Sequence, residues 1–139
     1  HGQRPIHFVD VCTGSGCVAI ATAKHAPNHR FQATDISSAA LQIAARNAAK
    51  HQVDDRITFF EGDLLDAIPS GGDSIDIVMS NPPYVSESEL AMLPRDVRDY
   101  EPRLALLSGS SGLEHSLRLA EQSADRLHSG GKLLIETSP

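Results

Sequence analysis

The sequence predicts an α/β fold built on a doubly wound, mostly parallel sheet, and three observations support this prediction. Short segments rich in β-branched and apolar residues alternate along the chain with segments of helical periodicity. The connections between successive strands are long enough to hold a helix, as parallel strands require. The chain has 139 residues, of which 40% are hydrophobic and 22% charged, a composition typical of one globular domain.

Five strands are predicted, each a short apolar run that ends at a glycine or a polar residue. They cover residues 6–11, 30–34, 57–60, 75–79 and 132–136. The first strand runs directly into Gly14 and Gly16, the second stops at Asp35, and the third ends near Asp63. The fourth strand is closed by Asn81 and the residues that follow it.

Three helices are predicted between these strands. Residues 18–24 are rich in alanine and isoleucine, and Ser37 is a suitable cap for a second helix. The second helix has an apolar stripe at i, i+3, i+4 and i+7, formed by Leu41, Ala44, Ala45 and Ala48. The third helix is expected to end at Gly130 and Gly131. Its apolar stripe comprises Leu113, Leu117, Ala120, Ala124 and Leu127.

Residues 81–112 interrupt this alternation of strands and helices. They include four prolines, Pro82, Pro83, Pro94 and Pro102, and show no clear periodic element. Loops of this length within a compact domain usually serve as lids or binding loops. Arg98 and Glu101 in this segment could either bind a substrate or clamp the loop.

The composition argues against several classes of protein. The chain carries 12 basic and 18 acidic residues, a net charge of −6, which disfavours direct binding to nucleic acid. No apolar run approaches the roughly 20 residues that span a bilayer, so no membrane partner is expected. Two cysteines, Cys12 and Cys17, are too few for a disulfide scaffold or a four-thiolate zinc site. We therefore expect a cytoplasmic, reducing environment and no metal.

The glycines after the first strand form the first candidate binding element. Residues 14–19 fit the pattern Gly-x-Gly-x-x-Ala at the carboxyl end of a strand, where ligands of open α/β sheets bind. Gly14 and Gly16 permit a positive φ and allow a ligand to approach the bare backbone. The alternative is a tight strand-to-helix turn. Cys12 and Cys17 flank the glycines and are expected to be small packing residues rather than a redox pair.

Carboxylates after the second and third strands extend this element to an adenosine site. Asp35 lies 21 residues beyond Gly14, the offset at which a carboxylate accepts both ribose hydroxyls. Alternatively, Asp35 complements the dipole of the helix that follows. Asp63 offers an acceptor for the adenine amino group, and Leu64 a backbone N–H. We expect Asp10 to organise the glycine turn or to contact an ammonium group of the cofactor.

The segment Asn81-Pro82-Pro83-Tyr84 after the fourth strand suits chemistry on a planar nitrogen, whose lone pair is delocalised and poorly nucleophilic. The side-chain oxygen of Asn81 and the carbonyl of Pro82 can accept its two hydrogens. The two prolines keep that backbone rigid, and Tyr84 can stack on the planar group. The two acceptors would direct the lone pair at an electrophile and stabilise the developing charge, without a general base or a metal. The alternative is a proline-rich turn.

Three other functions share part of this pattern. A dinucleotide-dependent dehydrogenase would use the glycine turn and Asp35 but would leave residues 81–84 unexplained. An amino-methyltransferase acting on adenine or cytosine in nucleic acid would face the same planar nitrogen, although the acidic charge offers it no basic surface. A catalytically silent cofactor-binding module is the third possibility.

Together these residues resemble the class I S-adenosylmethionine-dependent methyltransferases, and within them the HemK-type protein-glutamine N5-methyltransferases. The motifs that carry the resemblance are residues 10–17, 81–85, 100–106 and 108–113. It implies a Rossmann-like methyltransferase core that uses S-adenosylmethionine, releases S-adenosylhomocysteine and needs no metal. The implied substrate is a glutamine side chain in the Gly-Gly-Gln loop of a peptide chain release factor, or a glutamine of a large-subunit ribosomal protein.

The resemblance also implies roles for individual residues. The cofactor would be bound by Asp10, Cys12, Thr13, Gly14, Gly16, Asp35, Ile36, Asp63, Leu64 and Asn81. Catalysis would rest on Asn81, Pro82 and Tyr84, and the substrate would contact Asn81, Pro82, Pro83 and Tyr84.

Two departures from the family shape our expectation for domain organisation. Full-length members carry an N-terminal helical domain that docks the substrate, and their sheet continues for two more strands. Residues 1–139 show neither feature. We therefore expect a partial S-adenosylmethionine-binding domain whose sheet is truncated after the fifth strand, leaving an apolar strand at its edge.

Overall fold

A five-stranded parallel sheet forms the centre of the computed structural model, which describes residues 4–137. Its strands are β1 (His7–Val11), β2 (Arg30–Asp35), β3 (Ile57–Glu61), β4 (Ile75–Ser80) and β5 (Leu127–Ile135). The strand order is β3-β2-β1-β4-β5, and every paired neighbour is parallel. The predicted doubly wound α/β fold is confirmed. The order reverses beside β1, so the crevice that such sheets use for ligands opens where β1 and β4 end.

Helices cover both faces of this sheet. Three longer helices, α1 (Cys17–His25), α2 (Ser38–Lys50) and α6 (Glu114–Arg126), match the three that the sequence predicts. The Ser37 cap of α2 is confirmed, because its hydroxyl oxygen accepts from the Ala40 N–H at 3.2 Å. A 3₁₀ turn, Leu64–Ala67, follows β3. Of the predicted stripe on α2, Ala44 and Ala48 are buried, whereas Ala45 is exposed.

Residues 81–112 contain three short helices that the sequence analysis missed. They are α3 (Glu87–Leu90), α4 (Arg95–Tyr100) and α5 (Arg103–Leu106). With four to six residues each, they are too short to produce a periodic pattern. The signals for them were at their N-termini: Ser86 and Glu89 form a capping box, and Pro94 and Pro102 directly precede α4 and α5.

The prediction for the end of α6 and the start of β5 was wrong. The helix ends at Arg126, and the strand begins at once, so Gly130 and Gly131 lie inside β5. Leu127 pairs with Ile75 and Lys132 with Ile77, and the register shift between these pairs marks a bulge in β5. Gly130 has φ 87° within it. A helix end and a β-bulge both use a glycine with positive φ, so the sequence signal was ambiguous.

The predicted apolar stripe of α6 was also wrong. Leu119 and Ser123 are buried, whereas Leu113 and Leu117 are 52% and 60% exposed. Ala120 and Ala124 are exposed as well. The helix is rotated by about one residue step, about 100°, from the predicted face, because Leu119 packs into the core beneath it.

Two apolar clusters hold the layers together, one on each face of the sheet. On one face, Ala19 and Ala23 of α1 and Ala48 of α2 form a cluster with Phe31 and Ala33 of β2. On the other face, Leu119 of α6 and Leu65 of the 3₁₀ turn form a cluster with Val9, Val11 and Val78 of β1 and β4. Strands that are buried on both faces have nearly continuous apolar sequences, and this pattern made β1 and β4 recognisable in the sequence.

A buried carboxylate fastens the amino ends of the strands. Asp76 accepts from Arg4 Nη1 at 2.9 Å and from the His7 backbone N–H at 2.8 Å, and its Oδ1 lies 2.5 Å from His128 Nε2. The Arg4 hydrogen bond lowers the pKa of Asp76 to about 2, against the opposing effect of burial. A cavity of about 500 Å³ lies nearby, at the opposite edge of the sheet from the crevice.

We predict that Asp76→Asn lowers the Tm at pH 7 by roughly 3–6 °C, because the buried His7 N–H and Arg4 lose a charged acceptor. Wild-type stability should fall as the pH drops from about 4, the ordinary value of an aspartate, to about 2, and the variant should lack this part of the acid dependence. Thermal melts between pH 2 and 7 measure both effects. Asp73→Asn is the matched control, because Asp73 pairs with Arg30 but is 76% exposed. Equal decreases in Tm in the two variants would contradict the prediction.

Candidate active site

Backbone conformation shapes the glycine turn between β1 and α1. Gly14 and Gly16 have φ of 56° and 83°, in the left-handed region, and Cys12 shares it with φ 58°. A Cβ on Gly16 would lie 3.0 Å from Ile20 Cδ1 and 3.1 Å from Ala44 Cβ, so close packing of α1 on α2 also requires this glycine. A Cβ on Gly14 would meet nothing within 4 Å. The turn is therefore tightly packed on its helix side and open at Gly14.

Asp35 connects the glycine turn to the end of β2. Its Oδ2 accepts from the Gly14 N–H at 2.8 Å, and its Oδ1 accepts from the Ser37 N–H at 2.9 Å. The Thr13 N–H donates to the Thr34 carbonyl at 2.9 Å beside it. Each carboxylate oxygen has two acceptor sites, so both oxygens of Asp35 retain one for a further donor.

Asp10 is buried beneath the same turn, 2% exposed. Its Oδ2 accepts from the Thr13 hydroxyl at 2.6 Å and from the Ala19 N–H at 3.1 Å. Burial raises the pKa of Asp10 to about 6, although these two hydrogen bonds lower it, and the charge of Asp35 adds to the rise. Of the two roles expected for Asp10, these contacts match the first, the organisation of the glycine turn.

The residues after β2 and β3 form the outer side of the crevice. Ile36 is 59% exposed, an apolar side chain next to Asp35. Asp63 Oδ2 accepts from Arg118 Nη2 of α6 at 2.6 Å. Leu64 has φ 50° and a buried side chain, so only its backbone can face a ligand. The sequence analysis did not identify Arg118 as a site residue. The available signal was its spacing from Gln122: the two polar residues are four apart and therefore lie on one face of α6. Gln122 contacts the same segment as Arg118, because its Oε1 accepts from the Leu65 N–H at 3.0 Å.

Residues 81–84 leave the sheet where β4 ends beside β1. The Ser80 hydroxyl donates to the Val11 carbonyl at 2.7 Å, and the Ser80 carbonyl accepts from the Glu136 N–H at 2.9 Å. Both neighbours of β4 thus fix its last residue. Asn81 is exposed and Tyr84 is 36% exposed, whereas Pro82 and Pro83 are buried. The side chains of Asn81 and Tyr84 are therefore accessible to a ligand, while the two prolines between them pack into the protein.

Cys12 lies half-buried between these segments. Burial raises the pKa of its thiol to about 12, and the charge of Asp35 contributes. Cys17, at the start of α1, is exposed, and its Sγ lies 3.0 Å from Ser15 Oγ. Both thiols are free. Cys12 packs against the apolar cluster beside β1, as predicted, whereas the exposed Cys17 does not have the predicted packing role.

The predicted site residues therefore gather at the carboxyl edge of the sheet, on the segments that follow β1, β2, β3 and β4. Arg98 instead lines a cavity of about 260 Å³ with Glu87 and Arg103, and its Nε donates to Asp99 at 3.1 Å. Glu101 directly follows α4 and is exposed. Among residues 4–137, no three His, Cys, Asp or Glu side chains converge as metal ligands. The same residues include no helix with the length and apolar character to cross a membrane.

Two solved structures share this fold. TrmN from Thermus thermophilus superimposes with a TM-score of 0.68 at 20% identity, over 96% of this chain and 34% of that chain. The ribosomal protein L11 methylase of Lactobacillus delbrueckii subsp. bulgaricus gives 0.65 at 24% identity, over 94% and 50%. The chain therefore has the same Rossmann-like fold as these two proteins.

Sequence comparison gives the family. The model of the methyltransferase small domain matches residues 3–95, two-thirds of the chain, and the chain belongs to this family. A release factor glutamine methyltransferase of Rhodopirellula baltica is 46% identical over 99% of this chain. A ribosomal protein uL3 glutamine methyltransferase of Bradyrhizobium diazoefficiens is 42% identical over 98%. The chain spans 46% and 42% of the length of these two relatives.

The raised pKa of Asp10 yields a stability prediction. In the unfolded chain Asp10 ionises near pH 4, whereas in the folded chain it holds its proton to about pH 6. Folding stability should therefore fall as the pH rises through this window, by about 3 kcal/mol. Asp10→Asn keeps an oxygen acceptor without the charge, so the variant should gain stability relative to wild type by that amount between pH 4 and 7.

Urea unfolding at several pH values measures this difference. Asp55→Asn, which removes a charge from an exposed position, is the control. If the stability of Asp10→Asn stays parallel to that of wild type across the window, Asp10 is not destabilised by burial.

Proposed function

We propose that this chain binds S-adenosylmethionine at the carboxyl edge of the sheet and methylates the side-chain amide of a glutamine in a protein. The observation that carries the proposal is the arrangement of residues 81–84, with Asn81 exposed between β4 and two buried prolines. The two named relatives support it, because both are glutamine methyltransferases. When bound, S-adenosylmethionine would supply a methyl group on a positively charged sulfur.

The residues at the crevice fit this cofactor. The open side of Gly14 gives room for close approach of a ligand to the backbone, and the free acceptor sites of Asp35 suit the two ribose hydroxyls. The exposed side chain of Ile36 can cover the adenine ring. Asp63 and the Leu64 N–H would meet the adenine edge, while Arg118 keeps the Asp63 carboxylate in place. Thr13, Gly16 and Cys12 shape the turn around the ligand, and Asp10 places negative charge beneath it.

The chain's own groups then act on the amide nitrogen. Asn81 Oδ1 and the Pro82 carbonyl would accept its two hydrogens, which draws the nitrogen out of conjugation and directs its lone pair towards the methyl group. Pro83 fixes the backbone that presents the Pro82 carbonyl, and Tyr84 would stack on the planar amide. Positive charge that develops on the nitrogen lies against two oxygens whose positions are set before the reaction. As the N–C bond forms, the electron pair of the broken C–S bond would stay on the sulfur, and the methylated nitrogen would release one proton to solvent.

We further propose a peptide chain release factor as the protein substrate and the cytoplasm as the place of action. The relative with the higher identity is a release factor methyltransferase at 46%, against 42% for the relative that acts on uL3. Two free thiols are compatible with a reducing compartment.

The deciding experiment incubates the chain with methyl-labelled S-adenosylmethionine and, separately, a release factor, protein uL3 or duplex DNA. We expect label on the release factor, and none when its Gly-Gly-Gln glutamine is replaced by glutamate. Label on uL3 alone would change the substrate. Label on DNA would indicate that the chain methylates bases and not glutamine. Binding of NAD instead of S-adenosylmethionine in calorimetry would contradict the methyltransferase proposal.

The ribose assignment of Asp35 needs a test that separates it from the glycine turn, because Asp35→Ala also removes the acceptor for Gly14. We predict that the 2′-deoxy and 3′-deoxy analogues of S-adenosylhomocysteine bind wild type at least about tenfold more weakly than the parent compound, since each lacks one charge-assisted hydrogen bond. In Asp35→Ala, all three ligands should bind alike. Calorimetry completes this double-mutant cycle. Retained discrimination in the variant would assign the ribose to another group.

Asn81 is expected to act mainly on the transfer step. Asn81→Ala should slow single-turnover methyl transfer by about 10²–10³-fold, because one preorganised acceptor is lost. The contacts at Asp35 and Asp63 remain, so cofactor affinity should change by less than about threefold. Asn81→Asp keeps an acceptor but loses the amide N–H₂ and adds charge beside the sulfonium, so it should be impaired too. A near-normal rate in Asn81→Ala would return residues 81–84 to a structural role.

A further inference from the structure

The backbone of residues 81–84 can make few hydrogen bonds of its own, although its two prolines restrict φ. Pro82 and Pro83 carry no backbone N–H, so Asn81 and Tyr84 are the only backbone donors of the turn. Yet the proposed chemistry requires the Pro82 carbonyl and the Asn81 side chain to be fixed before the substrate arrives. The support has to come from another segment of the chain.

Residues 106–112, which we call the strap, contact the turn immediately after Tyr84. The Val85 N–H donates to the Leu106 carbonyl at 2.8 Å, and the Ser108 N–H donates to the Val85 carbonyl at 2.8 Å. These two hydrogen bonds form a parallel bridge between Val85 and Leu107 outside the main sheet. Val85 is buried, so the bridge is shielded from water.

The far end of the strap lies against the turn itself. Gly112 has φ 81°, and a Cβ at this position would lie 2.5 Å from the Tyr84 carbonyl oxygen and 3.3 Å from the Ser86 nitrogen. No side chain can be placed there without displacing the backbone of Tyr84. Gly112 therefore permits close approach of the strap to Tyr84, one of the residues proposed to contact the substrate.

Ser108 fixes the strap to the start of α6. It is fully buried, its Oγ accepts from the His115 N–H at 3.0 Å, and the same oxygen lies 2.8 Å from His115 Nδ1. Its carbonyl accepts from the Gly112 N–H at 2.8 Å. The Glu87 N–H donates to the Gly109 carbonyl at 3.1 Å, which joins the strap to α3 as well. A continuous set of contacts thus runs from α6 through the strap to Tyr84.

We infer that Gly112 and Ser108 are positioning residues for methyl transfer: through the strap, they hold the Asn81-Pro82-Pro83-Tyr84 turn in the geometry that accepts the substrate amide. The inference rests on the proposed function of that turn. Neither residue is proposed to touch the substrate. They act through the backbone of Tyr84 and Val85.

The first test compares two glycine variants at positions of similar positive φ. Gly112→Ala places a methyl group against the Tyr84 carbonyl, whereas Gly71→Ala, at φ 88°, places one in open space far from the turn. We expect Gly112→Ala to slow single-turnover methyl transfer at least tenfold, with cofactor affinity within about threefold of wild type. Gly71→Ala should leave both values unchanged. Equal slowing in the two variants, or a normal rate in Gly112→Ala, would overturn the inference.

The second test needs no substrate. Amide hydrogen exchange at Val85 and Ser108 reports the bridge directly, and Gly112→Ala should speed exchange at both positions at least tenfold while Gly71→Ala does not. Unchanged protection in Gly112→Ala would overturn the inference even if methyl transfer is slow. If the wild-type chain transfers no methyl group to any protein, the proposed function fails, whereas this exchange measurement still decides whether the strap holds the turn.

Ser108→Ala is the second variant, in case Gly112→Ala does not fold. It removes the acceptor for the His115 N–H and leaves the backbone of the strap free of new contacts. It should speed exchange at Val85 and slow methyl transfer with little change in cofactor affinity. Normal exchange and a normal rate in a folded Ser108→Ala would exclude a positioning role for Ser108.

Discussion

The carboxylate of Asp35 is the interaction on which the site depends. By accepting from Gly14 on one oxygen and from Ser37 on the other, it joins the turn after β1 to the start of α2. These segments are far apart in sequence, and the parallel pairing of β1 with β2 is what brings them to the same edge. A single side chain thus holds the two segments together and retains acceptor capacity for a further donor. Its structural and ligand-binding roles are compatible because a carboxylate offers about four acceptor sites.

Electrostatics at this edge favour a cationic ligand. Asp10 and Asp35 place two carboxylates near the glycine turn. Burial raises the pKa values of Asp10 and Cys12, and the negative charge of Asp35 adds to both rises. The surrounding apolar core removes the water that would screen these charges. A positively charged group in the crevice would relieve this repulsion. Part of the chain's net negative charge is therefore located at the proposed cofactor site.

Much of the fold followed from the sequence because parallel strands buried on both faces leave long apolar runs, and because glycines and carboxylates mark their carboxyl ends. Asp35 and residues 81–84 were recognisable for the same reason. The face of α6 was not, because Leu113 and Leu117 repeat at helical spacing just as a core stripe would, while the true buried positions include Ser123. Gly130 was misplaced because a bulge and a helix end need the same backbone conformation. The strap could not be foreseen, since its contacts with Val85 and Tyr84 are made by the backbone and carry no residue preference except at Gly112.

The contrast between the two cysteines has a practical consequence. Alkylating reagents react with thiolates, and a thiol whose pKa is about 12 is almost entirely protonated at neutral pH. Half-buried Cys12 is thereby shielded from such reagents, whereas exposed Cys17 stands at the first residue of α1, one position after Gly16. A maleimide dye would attach at Cys17 without any engineering of the chain. Cys17 is thus a position at the rim of the crevice where a fluorescent reporter can be attached.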